Sequence, residues 1–161
     1  MAKKSATPVK KAAKAKAPAK RASAKLSFDS TMLVKRLLME VPERAREVLV
    51  YRFGLGTSAD RETLEAIGER WGITRERVRQ IEASGIEAVR NSKSFREASG
   101  AFGELSAYIE SLGAIVPDDT LLKDLAADEK AKNRLRFMLV VGSEFFRERE
   151  TDDFYARWHV D

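Results

Sequence analysis

Between Thr63 and Arg90 the polar and apolar positions alternate with helical rhythm, broken once at Gly72. Stepping 100° per residue from Arg75 places Val78, Ile81, Gly85 and Val89 on one narrow stripe. Glu76, Arg79, Gln80 and Ala83 fall on the opposite side. One face is built to pack and the other to reach outward with long hydrogen-bonding side chains. A first helix precedes it, with Ile67 and Trp71 apolar, Thr63 as its expected cap and Gly72 in the turn. Ile67, Trp71, Ile73, Val78 and Ile81 form the expected core of the pair. Gly68 stands where the helices approach, and Thr74 can cap the second helix.

Earlier in the chain, Leu26–Val41 carries apolar residues at Met32, Leu33, Leu37 and Leu38, which predicts a helix capped by Ser30. Pro42 opens the next helix, which buries Val48, Leu49 and Phe53 and ends at Gly54 and Gly56. Downstream, Asn91–Gly103 reads as a polar, Ser/Gly-bearing connection. A helix is expected over Glu104–Leu112, a second capped by Asp118 or Asp119, and a third from Asp128 to Gly142. The aromatic-rich runs EFFRERE and DFYARWHV then read as the two strands of a hairpin.

The predicted architecture is mainly α: a disordered tail over 1–25, a helix-turn-helix domain over 26–95, and a smaller α+β winged-helix-like domain over 103–161. The last run ends soon after its second expected strand, so this domain is read as incomplete or as part of a longer protein.

Charge changes this picture in one respect. Of the 30 Lys/Arg residues, nine lie in residues 1–25, which hold no acid; the remainder has 21 against 25 Asp/Glu, a net of −4. Lys3, Lys4, Lys10, Lys11, Lys14, Lys16, Lys20, Arg21 and Lys25 thus form a low-complexity Lys/Ala/Pro segment with too little apolar surface to order. It resembles the tails of linker histones and bacterial histone-like proteins, and implies salt-sensitive, sequence-independent attraction to phosphate. The module from Pro42 to Arg90 carries nine bases and nine acids. Residues 91–161 carry ten and fourteen, so tight nucleic-acid binding there would need a local patch of Arg147, Arg149 and Arg157.

The outward face of the second helix suits DNA. Arginine pairs bidentately with guanine, glutamate accepts from cytosine N4, and glutamine bonds adenine. The string RFGL…TLEAIG…GITRERVRQIE is similar to region 4.2 of the sigma-70 family of bacterial RNA polymerase sigma factors. The resemblance implies a reader of the −35 promoter element that also contacts the β flap of RNA polymerase. Carried over position by position, it implies base contacts from Arg75, Glu76, Arg79 and Gln80. It places Arg44, Arg52, Thr63 and Leu64 near the DNA backbone, and Thr74 and Arg77 are added to that set as phosphate-facing positions. Ala66, Ser84 and Gly85 depart from the family's usual acid, Lys and Ala. Nothing resembles sigma region 2, and the 41 residues before Pro42 leave no room for one, so initiation as a complete sigma factor is not expected. The C-terminal part resembles, more faintly, the HARE-type winged-helix domains.

The expected function is a sequence-specific DNA-binding transcription regulator, with double-stranded DNA and RNA polymerase as partners. The alternatives are a polymerase-binding adaptor or competitor that does not read promoters, and a histone-like nucleoid protein. With no Cys, no P-loop and a single histidine, His159, no enzyme, cofactor, metal or small-molecule substrate is expected. No apolar run approaches the roughly 20 residues of a membrane span. The expected location is therefore the cytoplasm, on the nucleoid.

Overall fold

Asp29, not Ser30, starts the first helix in the computed structural model, which describes residues 25–160. Its carboxylate accepts from the backbone N–H of Thr31 at 2.8 Å and of Met32 at 3.4 Å, and α1 runs over Ser30–Met39. A charged carboxylate satisfies the free N–H groups and complements the helix dipole, an advantage a hydroxyl lacks. The Ser30 hydroxyl instead accepts from Arg134 Nε at 3.1 Å. All expectations for the basic N-terminal stretch, Lys25 excepted, fall outside the described residues.

Helix α2 (Glu43–Phe53) follows Pro42 and ends at Gly54, whose φ of 65° is left-handed. A Cβ at Gly54 would lie 2.6 Å from the Ala59 carbonyl, so this tight loop requires glycine. Helices α3 (Leu64–Trp71) and α4 (Arg75–Arg90) then form the expected helix-turn-helix. The Thr63 and Thr74 hydroxyls accept from Ala66 N and Arg77 N, each at 3.1 Å, and Gly72 makes the left-handed turn at φ 66°. Ile67, Val78 and Ile81 are buried, whereas Trp71 and Ile73 sit half-buried at the rim of the core. At Gly68 an added Cβ would meet the Ile73 carbonyl at 2.7 Å, so the close approach is between α3 and the turn itself. Gly85 admits Ala45 and Leu49 of α2, whose side chains would lie 3.2 Å from a Cβ there.

The connection expected over Asn91–Gly103 is helical instead. Ser92 caps α5 (Lys93–Glu97) by accepting from Phe95 N at 3.1 Å, and α6 (Ser99–Ser111) follows almost at once. Ala98 and Phe102 are buried, and the Phe95 and Phe102 rings meet at 5.0 Å. Those spaced apolar residues outweigh the Ser/Gly content that suggested a loop. Glu40 at the end of α1 accepts from the backbone N–H groups of Lys93 and Ser94 at 2.9 and 3.0 Å and from the Ser94 hydroxyl. The Ser94 hydroxyl bond is the main reason its carboxyl pKa is lowered.

Strand β1 (Ile115–Pro117) precedes α7 (Asp118–Leu125) and α8 (Glu129–Val141). The hairpin β2 (Phe145–Glu148) and β3 (Arg157–Val160) closes the described chain. The antiparallel sheet has the order β1-β3-β2, with Ile115 and Phe146 both opposite His159. Helix–strand–helix–helix–hairpin is the winged-helix order, with a first strand that the sequence reading lacked. The expected cap of α7 is also corrected. Pro117 holds the cap position with no side-chain bond, while Asp118 accepts from Trp158 Nε1 at 2.7 Å across the sheet. Asp128 does cap α8, accepting from Ala131 N at 2.7 Å.

Helix α8 joins the two halves. Leu135, Phe137, Met138, Leu139 and Val141 are all buried, and the helix packs on α1, α2, α4 and α7. Arg90, the last residue of α4, donates to the Val141 and Val140 carbonyls at 2.9 Å each, capping the C-terminus of α8. Asn133, 1% exposed, donates to the Gly54 and Ala59 carbonyls at 3.2 and 2.8 Å. One apolar cluster runs from Val34 to Trp158. Among the described residues no helix is long and apolar enough to cross a membrane.

Candidate DNA interface

The face that α4 turns away from the core begins one residue after its cap. Val78, Ile81, Gly85 and Val89 anchor the helix, so Arg75, Glu76, Arg79 and Gln80 stand exposed on its first two turns. They are not independent side chains. Glu76 accepts from Arg79 Nε at 2.9 Å and Nη2 at 2.6 Å, a two-point ion pair. That bond is the main reason the Glu76 carboxyl pKa is lowered and the Arg79 guanidinium pKa raised. One residue along, Arg77 Nη1 donates to Gln80 Oε1 at 3.2 Å. Arg77 is thus tied to a residue of the outward face.

These pairings leave definite hydrogen-bonding capacity. The Nε edge of Arg79 is taken by Glu76, and the far end of the guanidinium still presents N–H groups as a fork. With Oε1 of Gln80 facing Arg77, its amide NH2 is the donor it has left, and it lies near enough to Glu76 to help lower that carboxyl pKa.

The flanking residues form a second tier. Arg44 of α2 lies over the Trp71 ring, 4.7 Å from its centroid, and its guanidinium is exposed at the end of α3. Arg52 is held by Glu82 of α4 at 3.4 Å and by the Glu62 carbonyl at 3.3 Å. The Thr63 and Thr74 hydroxyl oxygens are occupied as caps, yet each keeps a proton to donate to a phosphate oxygen. Leu64 buries its side chain, while its N–H belongs to the first turn of α3, where no intrahelical acceptor exists.

Sequence reasoning missed the supports of this tier. Arg70 lies 4.3 Å above the Tyr51 ring and pairs with Glu62 at 2.5 Å, bracing the loop that leads into α3. Aromatic residues sitting across from arginines were the only available signal, and spacing alone does not match them.

The hairpin at the C-terminal end contributes little free charge. Arg147 lies 4.0 Å from Asp118, and Arg157 pairs with Glu148 while covering the Phe154 ring. Of the patch considered for that region, two of three arginines are thus already beside acids. His159 is half-buried, stacked on Phe146 at 5.3 Å and 3.7 Å from a Glu148 carboxylate oxygen. Among the described residues no group of three or more His, Asp or Glu is placed to hold a metal ion.

Comparison with known proteins agrees with this geometry. Residues 37–91 match the family model "Sigma-70, region 4". The RNA polymerase sigma factor RpoS of Coxiella burnetii is 44% identical over 71 residues, which is 44% of this chain and 19% of that protein. The RNA polymerase sigma factor RpoD of Helicobacter pylori is 43% identical over 58 residues, 36% of this chain and 9% of that protein. The chain therefore spans less than a fifth of the curated relatives it matches. The family match stops short of α5, and the C-terminal part is assigned to a fold by its topology alone. A capped helix-turn-helix and its outward Arg/Glu/Arg/Gln face lie within the segment 37–91, the part of the chain that is similar to sigma-70 region 4.

Proposed function

We propose that this chain is a sequence-specific DNA-binding transcription regulator that places α4 in the major groove of a −35-type promoter element and works in association with RNA polymerase. The observation that carries the reading is the exposed row Arg75, Glu76, Arg79 and Gln80 on a helix rigidly capped at Thr74 and anchored at four buried positions. In this reading Arg44, Arg52, Thr63, Leu64, Thr74 and Arg77 hold phosphates and set register. Residues 26–95 are the reading unit, 103–161 a winged unit packed behind it, and the β flap the surface met on polymerase.

Selection from a randomised duplex pool should return a −35-like sequence. Arg79→Ala should then lose about 1–3 kcal/mol at one base position and accept other bases there. Unchanged selectivity in that variant removes base reading from α4. A second reading, a polymerase-binding adaptor that ignores promoter sequence, draws on the neutrality of Pro42–Arg90 and on the Glu76–Arg79 pair, which cancels charge on the reading face. Co-purification with polymerase without any selected sequence would favour it.

A further inference from the structure

On α1, a groove of about 410 Å³ lies against α8 and the loop that ends α2. Its apolar lining comes from Val34 and Leu38 of α1, Leu55 of the loop, and Met39, which is 65% exposed. Its rim is formed by Lys35 and Arg46 on one side and Lys130 and Arg134 on the other. No acidic residue lines it, and none of the four cations has a carboxylate partner among the described residues. Other arginines and lysines of the described surface do pair with acids, as at Arg36–Glu97, Arg52–Glu82, Arg70–Glu62 and Lys132–Glu129. Here four positive charges surround an apolar trough without one.

Two of these cations are fixed by contacts that leave their charge unneutralised. Arg46 Nη2 donates to the Met39 and Val41 carbonyls at 3.3 and 3.0 Å, and Arg134 Nε donates to the Ser30 hydroxyl at 3.1 Å. The partner oxygens are neutral, so both guanidiniums hold position with full charge. The groove is also composite: α1 and the α2 loop form one wall and α8 the other, so it exists only because the C-terminal part docks on the reading unit.

We propose that this groove docks an acidic amphipathic segment of a partner protein, its apolar side chains in the trough and its carboxylates on the four-cation rim. The chain's own N-terminal stretch is excluded by charge, since residues 1–25 carry nine Lys/Arg and no acid. A DNA duplex could touch the rim, but its convex backbone has nothing apolar to cover Met39 and Leu38. The inference does not rest on promoter reading, because the groove shares no residue with the outward face of α4.

The test uses the full chain and a fluorescein-labelled peptide with Glu on one helical face and Leu at i, i+3, i+4 and i+7, followed by anisotropy. Binding should weaken at least about tenfold for the exposed double variant Lys35→Glu/Lys130→Glu, and to a smaller extent for Met39→Glu. Circular dichroism should show an unchanged fold in both. A companion peptide with Ser for Leu should also bind at least about tenfold less tightly. If it binds as well as its parent, or if the double variant is unaffected, attraction to the N-terminal lysines explains the signal and the proposal fails. If random duplex DNA displaces the peptide and loses affinity equally in the double variant, the rim is a DNA contact and the proposal is likewise overturned.

Discussion

The Glu76–Arg79 pair fixes the direction of the guanidinium proposed to read DNA before any partner arrives. Both residues are exposed, so the bond adds little to stability; its value lies in aiming the arginine. Because the folded glutamate has a lowered pKa, the pair is complete above the ordinary glutamate value. It is lost only as pH falls through the lowered one. A carbon-detected NMR titration should find the Glu76 midpoint below that of an unpaired glutamate, and Arg79→Ala should bring it back toward normal. An unmoved midpoint in that variant would mean that Arg79 is not the cause. Single residues were unevenly legible in the sequence. Thr63, Thr74 and Asp128 cap their helices as expected, since a capping hydroxyl or carboxylate bonds backbone only two or three residues away. Asp118 did not, because Trp158, forty residues later, claims its oxygen.

Glycines decide how closely the helices approach, and two of them carry opposite consequences. Gly68 faces the Ile73 carbonyl, a backbone atom that cannot rotate aside, and Gly68→Ala should destabilise the protein by about 1–3 kcal/mol. Gly103 lies in α6 with nothing within 4 Å of an added Cβ, so Gly103→Ala should stabilise it by about 0.5–1 kcal/mol. Urea unfolding of the two variants checks both signs. The departure at Gly85 finds its reason here as well: the helix-propensity cost is offset by the close seating of Ala45 and Leu49. No arrangement of residues within α4 alone discloses that neighbour. Composition likewise misled over residues 91–103, where two phenylalanines seven apart outvote the serines and glycines around them.

Taken together, the described residues form one continuous core, with α8 of the C-terminal part packed against α1, α2 and α4. Asn133 is the polar fastener of that junction. Asn133→Ala leaves the buried Gly54 carbonyl and the half-buried Ala59 carbonyl without their donor and should cost about 1–3 kcal/mol in chemical denaturation, with a matching loss of DNA affinity if loop 54–63 positions α3. Removing residues 1–25 should instead leave the midpoint of unfolding unchanged while flattening the dependence of DNA affinity on salt, measured between low and moderate ionic strength. An identical slope with and without them would place the electrostatic attraction elsewhere. Short-range chemistry was readable directly: helical periodicity, capping hydroxyls, the left-handed glycine at 72 and the outward Arg/Glu/Arg/Gln face all depend on residues within one or two turns of each other. The strand at Ile115–Pro117, the diversion of Asp118 to Trp158, the seating of α8 and the four-cation groove depend on partners tens of residues away. Such pairings are chosen by which surfaces meet when the core closes, and only the folded chain brings those surfaces together.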